Sequence, residues 1–345
     1  MALTILAQST ILKAAAKRAR QRWLGRTVAV LLGGLTPERP ISFKTGRGVA
    51  RALRERGYSV VEVDARRDLP RRLQEADVDV AFVSLHGYFG EDGCVQGLLE
   101  YIGVPYTHSS VLASAAAMDK SHSKRLLRAA GLPTPSSVEF RVGEEAASAA
   151  QLGLRFPVVV KPVVGGSSQH MAQAATEADL AAALDTASQS GFDLLIEEFI
   201  EGEEYTVTVI EGDDGRGRAL PVVGIRPVEG WFDYKNKYQK GSTEYDVPAP
   251  LDPETTAQIQ DLAERCFDLH ACSGVARIDL MLHPQDGPQI LEINAIPGMT
   301  ETSLVPMAAR AVDVDYGTLC EAILGMARLH LVAFESTPDA AEVEA

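Results

Sequence analysis

Cysteine is scarce and scattered in this chain: Cys94, Cys266, Cys272 and Cys320 form no C-x-x-C pair. That pattern argues against a disulfide framework or a zinc module and fits a reducing cytoplasm. Positive charge is short as well. The formal net charge of −14 argues against nucleic acid or an anionic membrane as the main partner, although a local basic patch can survive it. No apolar run approaches the roughly 20 residues that span a bilayer, so no transmembrane segment is expected. No G-x-G-x-x-G follows the first strand-like stretch, and no dinucleotide site is assigned. Internal repeats and low-complexity tracts are absent too.

What remains is an ordinary globular composition, 46% apolar and 23% charged over 345 residues. Such a length suits about two or three domains with well-buried cores. The opening "MALTILAQSTILKAAAKRARQRWLGR" places its basic residues after its apolar ones, the wrong order for a secretory signal. It reads as a basic amphipathic helix: a surface or frayed extension, or a segment that touches a membrane or partner. The ending "TPDAAEVEA" reads as an acidic, solvated tail.

Strand and helix then alternate. "TVAVLLGG", "YSVVEVDA" and "VDVAFVSLHG" read as strands, with the helical spacing of "ISFKTGRGVARALRERG" between the first two. "GCVQGLLEYIG" reads as a helix capped by Gly103. That rhythm predicts a parallel sheet covered on both faces. It changes at "AMDKSHSKRLLRAAGLPTPSS", where a basic helix ends at Gly131 ahead of Pro133 and Pro135. A small α+β unit follows, built from "FPVVVKPVVGGSSQH", the Ala-rich "EADLAAALDTASQ" and "DLLIEEFIEGEEYTVTVI". The last region holds a long loop, "EGWFDYKNKYQKGSTEYDVPAP", a helix at 253–270 and two short strands.

Those two strands carry chemistry. "GVARIDLML" and "QILEIN" are joined by the turn-rich "HPQDGP". Pairing Leu282 with Gln289 sets Asp279 opposite Glu292 and Arg277 opposite Asn294. The period of two puts these four on one face, with Ile278, Leu280, Leu291 and Ile293 on the other. Opposed like charges are unfavourable in a sheet, and a cation between them reverses the sign. Carboxylate and amide oxygens without a soft ligand favour Mg²⁺ or Mn²⁺. The alternative is two acids that merely face solvent, and a one-residue slip in register would undo the pairing.

In "VVVKPVVGGSSQH", Lys161 ends an apolar strand ahead of Gly165, Gly166, Ser167 and Ser168. Glycines let backbone N–H groups approach phosphate oxygens, and hydroxyls add donors. A plain Gly-Ser turn between two strands is the simpler reading. A second lysine, Lys120, and the acid-bearing strand "LLIEEF" in the same unit favour the nucleotide.

Taken together, "LLGGLTPERPIS", "LHGYFGEDGCVQGLLEYIGVPYT", "SAAAMDK", "VVVKP" with "GSS", "IEEFIEGEEYTV", "DYKNKY", "ARIDLM" and "LEINAIPGMTETSLVP" resemble the D-alanine–D-alanine ligases of the ATP-grasp superfamily. The stretches run in family order over residues 27–330. The resemblance implies an α/β and α+β chain: an ATP-grasp fold with an N-terminal parallel-sheet, Rossmann-like domain and a two-part nucleotide-binding region. It divides the chain into a basic helical extension (1–24), a substrate-binding domain (25–119), a central subdomain (120–205), a C-terminal subdomain with the metal site (206–335) and the acidic tail (336–345).

It also implies roles. Glu38 binds the ammonium of the first D-alanine, with His86 as its neighbour. Lys120 and Lys161 hold ATP phosphates, and Lys237 touches the one transferred. Glu197 and Glu204 meet the adenosine, with Phe199 and Ile200 beside the base. Ser167 and Tyr238 close over the substrate through a hydrogen-bond network with Glu38. Asp279, Glu292 and Asn294 are the ligands of two Mg²⁺ or Mn²⁺ ions, and Arg277 clamps the transition state. Ser303 and Leu304 receive the carboxylate of the second D-alanine. The implied activity is ATP-dependent joining of two D-alanines through an acylphosphate, for peptidoglycan synthesis, by a cytoplasmic homodimer.

Some positions depart from the family. Gly165 stands where an acid usually precedes "GSS", Gln169 and His170 replace small residues after it, and Glu198 replaces a frequent lysine. "THSS" replaces a more glycine-rich turn. Three rivals stand beside the leading reading: a paralogue joining D-alanine to another amino or hydroxy acid, a non-catalytic nucleotide-binding protein, and a membrane-associated scaffold using the basic N-terminal segment.

Overall fold

The computed structural model describes residues 2–143, 148–166, 170–228 and 241–331. Helix α1 (Ala2–Trp23) comes first. The alternating region then gives β1 (Thr27–Leu32), α2 (Arg39–Glu55), β2 (Ser59–Asp64), α3 (Leu69–Glu75), β3 (Val80–Val83), α4 (Cys94–Tyr101) and α5 (Val111–Met118). Its strands form a parallel sheet in the order β2-β1-β3. β1 and β3 are apolar and almost wholly buried, as a central parallel strand covered by helices must be. Gly103, with φ +69°, ends α4 as expected.

The second region contains α6 (Lys120–Ala129), β4 (Ser137–Phe140), β5 (Val158–Pro162), β6 (Ala172–Ala174), α7 (Glu177–Ser188) and β7 (Leu194–Glu198). Asp119 starts α6 by accepting from the His122 N–H at 2.7 Å. The strands pair antiparallel in the order β4-β7-β5-β6. Helix α7 covers them, burying Leu180, Ala183, Leu184 and Ala187.

The third region holds β8 (Glu203–Glu211), β9 (Gly217–Ala219), β10 (Val223–Pro227), β11 (Thr243–Asp246), α8 (Pro253–Leu269), β12 (Val275–His283), β13 (Gly287–Asn294), α9 (Leu304–Arg310) and α10 (Tyr316–Gly325). An antiparallel sheet runs β11-β10-β8-β12-β13, with β9 beside β8. Asp252 caps α8 through the Glu254 and Thr255 N–H groups, with Pro253 at its first turn.

The stretch expected as a long loop ahead of α8 contains β11, paired antiparallel with β10, and two further sequence expectations need correction. The hairpin of β12 and β13 pairs Met281, not Leu282, with Gln289, and a β-bulge between Asp279 and Leu280 restores the lost residue. Asp279 therefore still faces Glu292, and Arg277 still faces Asn294. The bulged residue is Leu291. It lines the cleft beside Glu292, while Ile290 takes the inward position. The second correction concerns α1, which is neither frayed nor loosely attached. Leu12, Ala15, Ala16, Ala19 and Trp23 are buried in the core cluster shared with α10. At Gly325 the helices approach so closely that a Cβ would overlap the Ala15 carbonyl oxygen.

Candidate active site

The three regions meet at one cleft of about 960 Å³. From the first comes Glu38, which precedes α2. A Cβ at Gly87 would overlap its Oε2, and one at Gly166 would stand 3.3 Å from its Oε1. Two bare backbones thus seat this carboxylate, one from the β3–α4 loop and one from the Gly-Ser loop. His86 lines a smaller pocket of about 290 Å³ that shares Leu35, Tyr88 and Phe89 with the main cleft. Its ring is buried and meets Thr45 Oγ1 through Nε2 and Glu91 through Nδ1, both at 3.2 Å.

The second region supplies cations. Lys120 opens α6, and its ammonium donates to the Gly165 carbonyl at 2.6 Å and stands 3.9 Å from Glu292. Lys161, at the end of β5, donates to Glu197 Oε1 at 2.8 Å. The other oxygen of Glu197 pairs with Lys124, one turn along α6 from Lys120. Lys124 was not among the expected site residues. Its only sequence signal is the four-residue spacing from Lys120, which puts both on one helix face. Burial pulls the Lys124 ammonium down to about 8, against the pull of Glu197. Burial likewise opposes charge on Glu197, but the two lysines outweigh it and hold its carboxyl below the usual range. The Glu197 side chain is thus taken up by lysines, while Glu198, Phe199 and Ile200 continue along the cleft wall. Glu198 turns to Arg155, accepting from its backbone N–H at 2.9 Å and its Nε at 3.2 Å.

The third region brings Glu204, Asp279 and Glu292 to the opposite wall. Asp279 is almost buried and densely held. It accepts from Arg277 Nε and Nη2 at 2.8 and 2.7 Å, Thr206 Oγ1 at 2.5 Å and Asn294 Nδ2 at 3.0 Å. Arg277 and Asn294 reach the site through Asp279 rather than by lining the cleft. Ser303 and Leu304, at the start of α9, do not line it either. The Ser303 hydroxyl accepts from the Thr300 N–H at 3.0 Å, which braces the turn ahead of the helix. Ser167, Lys237 and Tyr238 lie outside the described residues. Beyond Lys124, sequence reasoning missed Tyr88 and Phe192, whose rings stack at 4.8 Å where the first and second regions meet.

Among the described residues no three His, Cys, Asp or Glu side chains converge as a metal cage. Asp279 and Glu292 are two carboxylates set opposite each other, with an amide beside them. The donors are hard oxygens, and an Arg and a Thr orient Asp279 from behind. That set fits a small divalent cation completed by water and phosphate oxygens.

Comparison with known proteins points to one family. A family model described as "D-ala D-ala ligase C-terminus" matches residues 126–325, and one described as "D-ala D-ala ligase N-terminus" matches residues 64–109. A D-alanine–D-alanine ligase of Syntrophotalea carbinolica is 44% identical over 310 residues, 90% of this chain and 99% of that one. The solved Bacillus anthracis D-alanine–D-alanine ligase complexed with ATP superposes with a TM-score of 0.76 at 32% identity, over 87% of this chain and 97% of that one. The Enterococcus faecalis VanG D-Ala:D-Ser ligase gives 0.75 at 26% identity, over 87% and 99%. A parallel three-stranded sheet followed by two antiparallel sheets, with lysines and paired carboxylates lining one cleft, places the chain among the ATP-grasp ligases. Within that class, the chain belongs to the D-alanine–D-alanine ligase family.

Proposed function

We propose that this chain joins two D-alanines into D-alanyl-D-alanine at the expense of ATP, for peptidoglycan precursor synthesis. The observation that carries the reading is spatial: Glu38, Lys120, Lys161, Asp279 and Glu292 come from five separate stretches and line one cleft.

A carboxylate is a poor electrophile and needs activation before an amine can attack it. One oxygen of the first D-alanine carboxylate bonds to the γ-phosphorus of ATP as the bond to the β,γ-bridging oxygen breaks. The products are an acylphosphate and ADP. Glu38 holds the ammonium of that substrate, with His86 behind it. Lys120 and Lys161 draw charge from the phosphates as transfer proceeds. Mg²⁺ or Mn²⁺, two ions held by Asp279, Glu292 and the Asn294 oxygen, would supply further charge neutralisation on the phosphates. The amine of the second D-alanine then attacks the acyl carbon, loses a proton, and inorganic phosphate leaves. The family resemblance assigns Arg277, here paired with Asp279, to the oxyanion formed at that carbon. The family resemblance likewise assigns Ser303 and Leu304 to the second carboxylate.

Phe199 and Ile200 flank the base, Glu204 takes the ribose, and Glu197 serves the nucleotide through its lysines. Ser167, Lys237 and Tyr238 close the site by the roles the family resemblance implies. Three of the four cysteines are buried and all four are free, which supports a reducing, cytoplasmic setting. The homodimer rests on the family resemblance alone.

The test is ADP release in Mg²⁺ with D-alanine alone, with L-alanine alone, and with D-alanine plus D-serine or D-lactate. Turnover with D-alanine alone is expected. Preference for a mixed pair would favour the paralogue, and no turnover with any D-amino acid would sink the reading.

A further inference from the structure

The floor of the cleft holds a charge arrangement whose third member, Lys124, has no assigned part in the reaction scheme above. Glu197 is 3% exposed, Lys161 5% and Lys124 1%. One carboxylate here serves two ammonium groups, so the buried trio carries a net positive charge. Removing ions from water is costly, and an unbalanced buried charge is costlier still. Of the three, Lys161 and Glu197 reach the cleft wall and Lys124 does not. An anion arriving from the cleft would offset the surplus charge buried on that side.

Lys124 also reaches the opposite wall. Its ammonium donates to Thr134 Oγ1 at 2.8 Å, and that hydroxyl donates to the Ile290 carbonyl at 2.8 Å. The Ile290 N–H donates in turn to the Pro133 carbonyl at 2.9 Å. Ile290 adjoins the bulge that turns Leu291 and Glu292 into the cleft. One side chain therefore touches the carboxylate that holds Lys161 and, through a threonine, the strand that bears Glu292.

We propose that Lys124 is a positioning residue for the nucleotide phosphates: it neutralises Glu197, leaving the charge of Lys161 available to the phosphates, and braces the bulged strand opposite. The proposal rests on the ATP-dependent reading given above. Without Lys124, Glu197 and Lys161 form a neutral pair, and the floor of the cleft loses its attraction for an anion. A purely structural lysine would affect folding and both substrates alike.

The charged groups bearing on Lys124 are Glu197 from β7, Lys161 from β5 and Arg128 from its own helix. Its ammonium titrates near 8, so the surplus charge is present below that pH and fades above it.

ATP binding in Mg²⁺ without D-alanine, followed by calorimetry from pH 6.5 to 9.5, tests this independently of ligase turnover. The wild-type chain should lose affinity above about pH 8. Lys124→Arg should fold, bind ATP, and show no such loss, because its guanidinium stays charged. Lys124→Met should weaken ATP binding by about tenfold or more, while in the ligase assay KM for D-alanine stays within twofold. Thr134→Val, which keeps the charge and cuts the link to Ile290, should weaken ATP binding less than Lys124→Met. A Lys124→Arg chain with the alkaline loss intact overturns the proposal, even if Lys124→Met does not fold. So does a folded Lys124→Met that binds ATP like wild type or loses both substrates equally. Absence of ligase turnover in the wild-type chain, with these binding results intact, would instead overturn the assigned reaction.

Discussion

Leu12→Ala asks whether the first helix is part of the enzyme's architecture or an appendage. Leu12 is fully buried, and with Ala15, Ala16, Ala19 and Trp23 it forms a stripe at helical spacing against α10. The contact is specific as well as apolar. Trp23 Nε1 donates to the Leu324 carbonyl at 3.1 Å, and Arg20 grips the buried Glu321 through bonds of 2.8 and 2.9 Å. Arg56, just past the end of α2, reaches the same carboxylate at 3.1 Å, so α1 and the end of α2 both hold one acid of α10. Truncating a fully buried leucine costs about 2–5 kcal/mol, the transfer loss plus the cavity left behind. With alanines and a glycine packed around it, the site has little freedom to collapse, and about 3 kcal/mol is expected. Leu6, on the same helix but 64% exposed, is the control, and Leu6→Ala should cost less than about 0.5 kcal/mol. Urea unfolding at pH 7 reads both, with turnover at low urea reporting the site. If Leu12→Ala and Leu6→Ala unfold together within error, α1 is not docked as described and the argument fails.

Asp64→Asn tests the pair that joins β2 to α2 just beyond Glu38. The Arg39 hydrogen bonds, with help from Arg66, hold the Asp64 carboxyl down to about 2 against the opposition of burial. The whole shift would be worth about 2 kcal/mol, and water around the pair reduces that to about 1. Because the folded value lies below the unfolded one, this stability is present above pH 4 and is lost as pH falls towards 2. The variant should be weaker at pH 7 and indistinguishable near pH 2 in urea midpoints; an equal gap at both would refute the assignment. Glu292→Gln should leave thermal stability within about 0.5 kcal/mol, because it removes a like charge opposite Asp279. It should raise the Mg²⁺ needed for half-maximal turnover by about tenfold or more, and parallel losses in melting and turnover would give Glu292 a structural role instead.

Much of this was legible in the chain, and the failures share a cause. The helix expected at 253–270 spans Pro253–Leu269, because Asp252 and Pro253 are local signals that act within one turn. The facing of Asp279 and Glu292 survived a wrong assumption about the turn, since the bulge added back what the turn took away. Period-two reasoning cannot locate a bulge at Leu291, which is apolar and suits either face. The stripe on α1 was present in the sequence, but alanines make a thin apolar face. What buries it is Gly325 and its neighbours at the far end of the chain. Lys124 was hidden for a related reason: a lysine on a basic helix looks solvated until the acid that draws it inward is known, and Glu197 sits on a distant strand.

The acidity of the chain sharpens the reading of the cleft. A net charge of −14 does not repel a nucleotide strongly at the site, because exposed charges are screened over about 8 Å at physiological salt. Local groups decide instead. Among the described residues the cleft lining carries Lys120, Lys161 and Arg226 against Glu38, Glu197, Glu198, Glu203, Glu204, Asp279 and Glu292, so acids outnumber cations there. Placing Asp279 and Glu292 beside a triphosphate is unfavourable on its own, and a divalent cation turns both acids from repulsive to bridging. The sign of the Glu292→Gln effect on ATP affinity should therefore depend on the metal. With Mg²⁺ the variant should bind ATP more weakly than wild type. In EDTA it should bind more tightly, because one repelling charge is gone. Weaker binding in both conditions would mean that Glu292 contacts the nucleotide directly, and the case for a metal between the paired strands would fall.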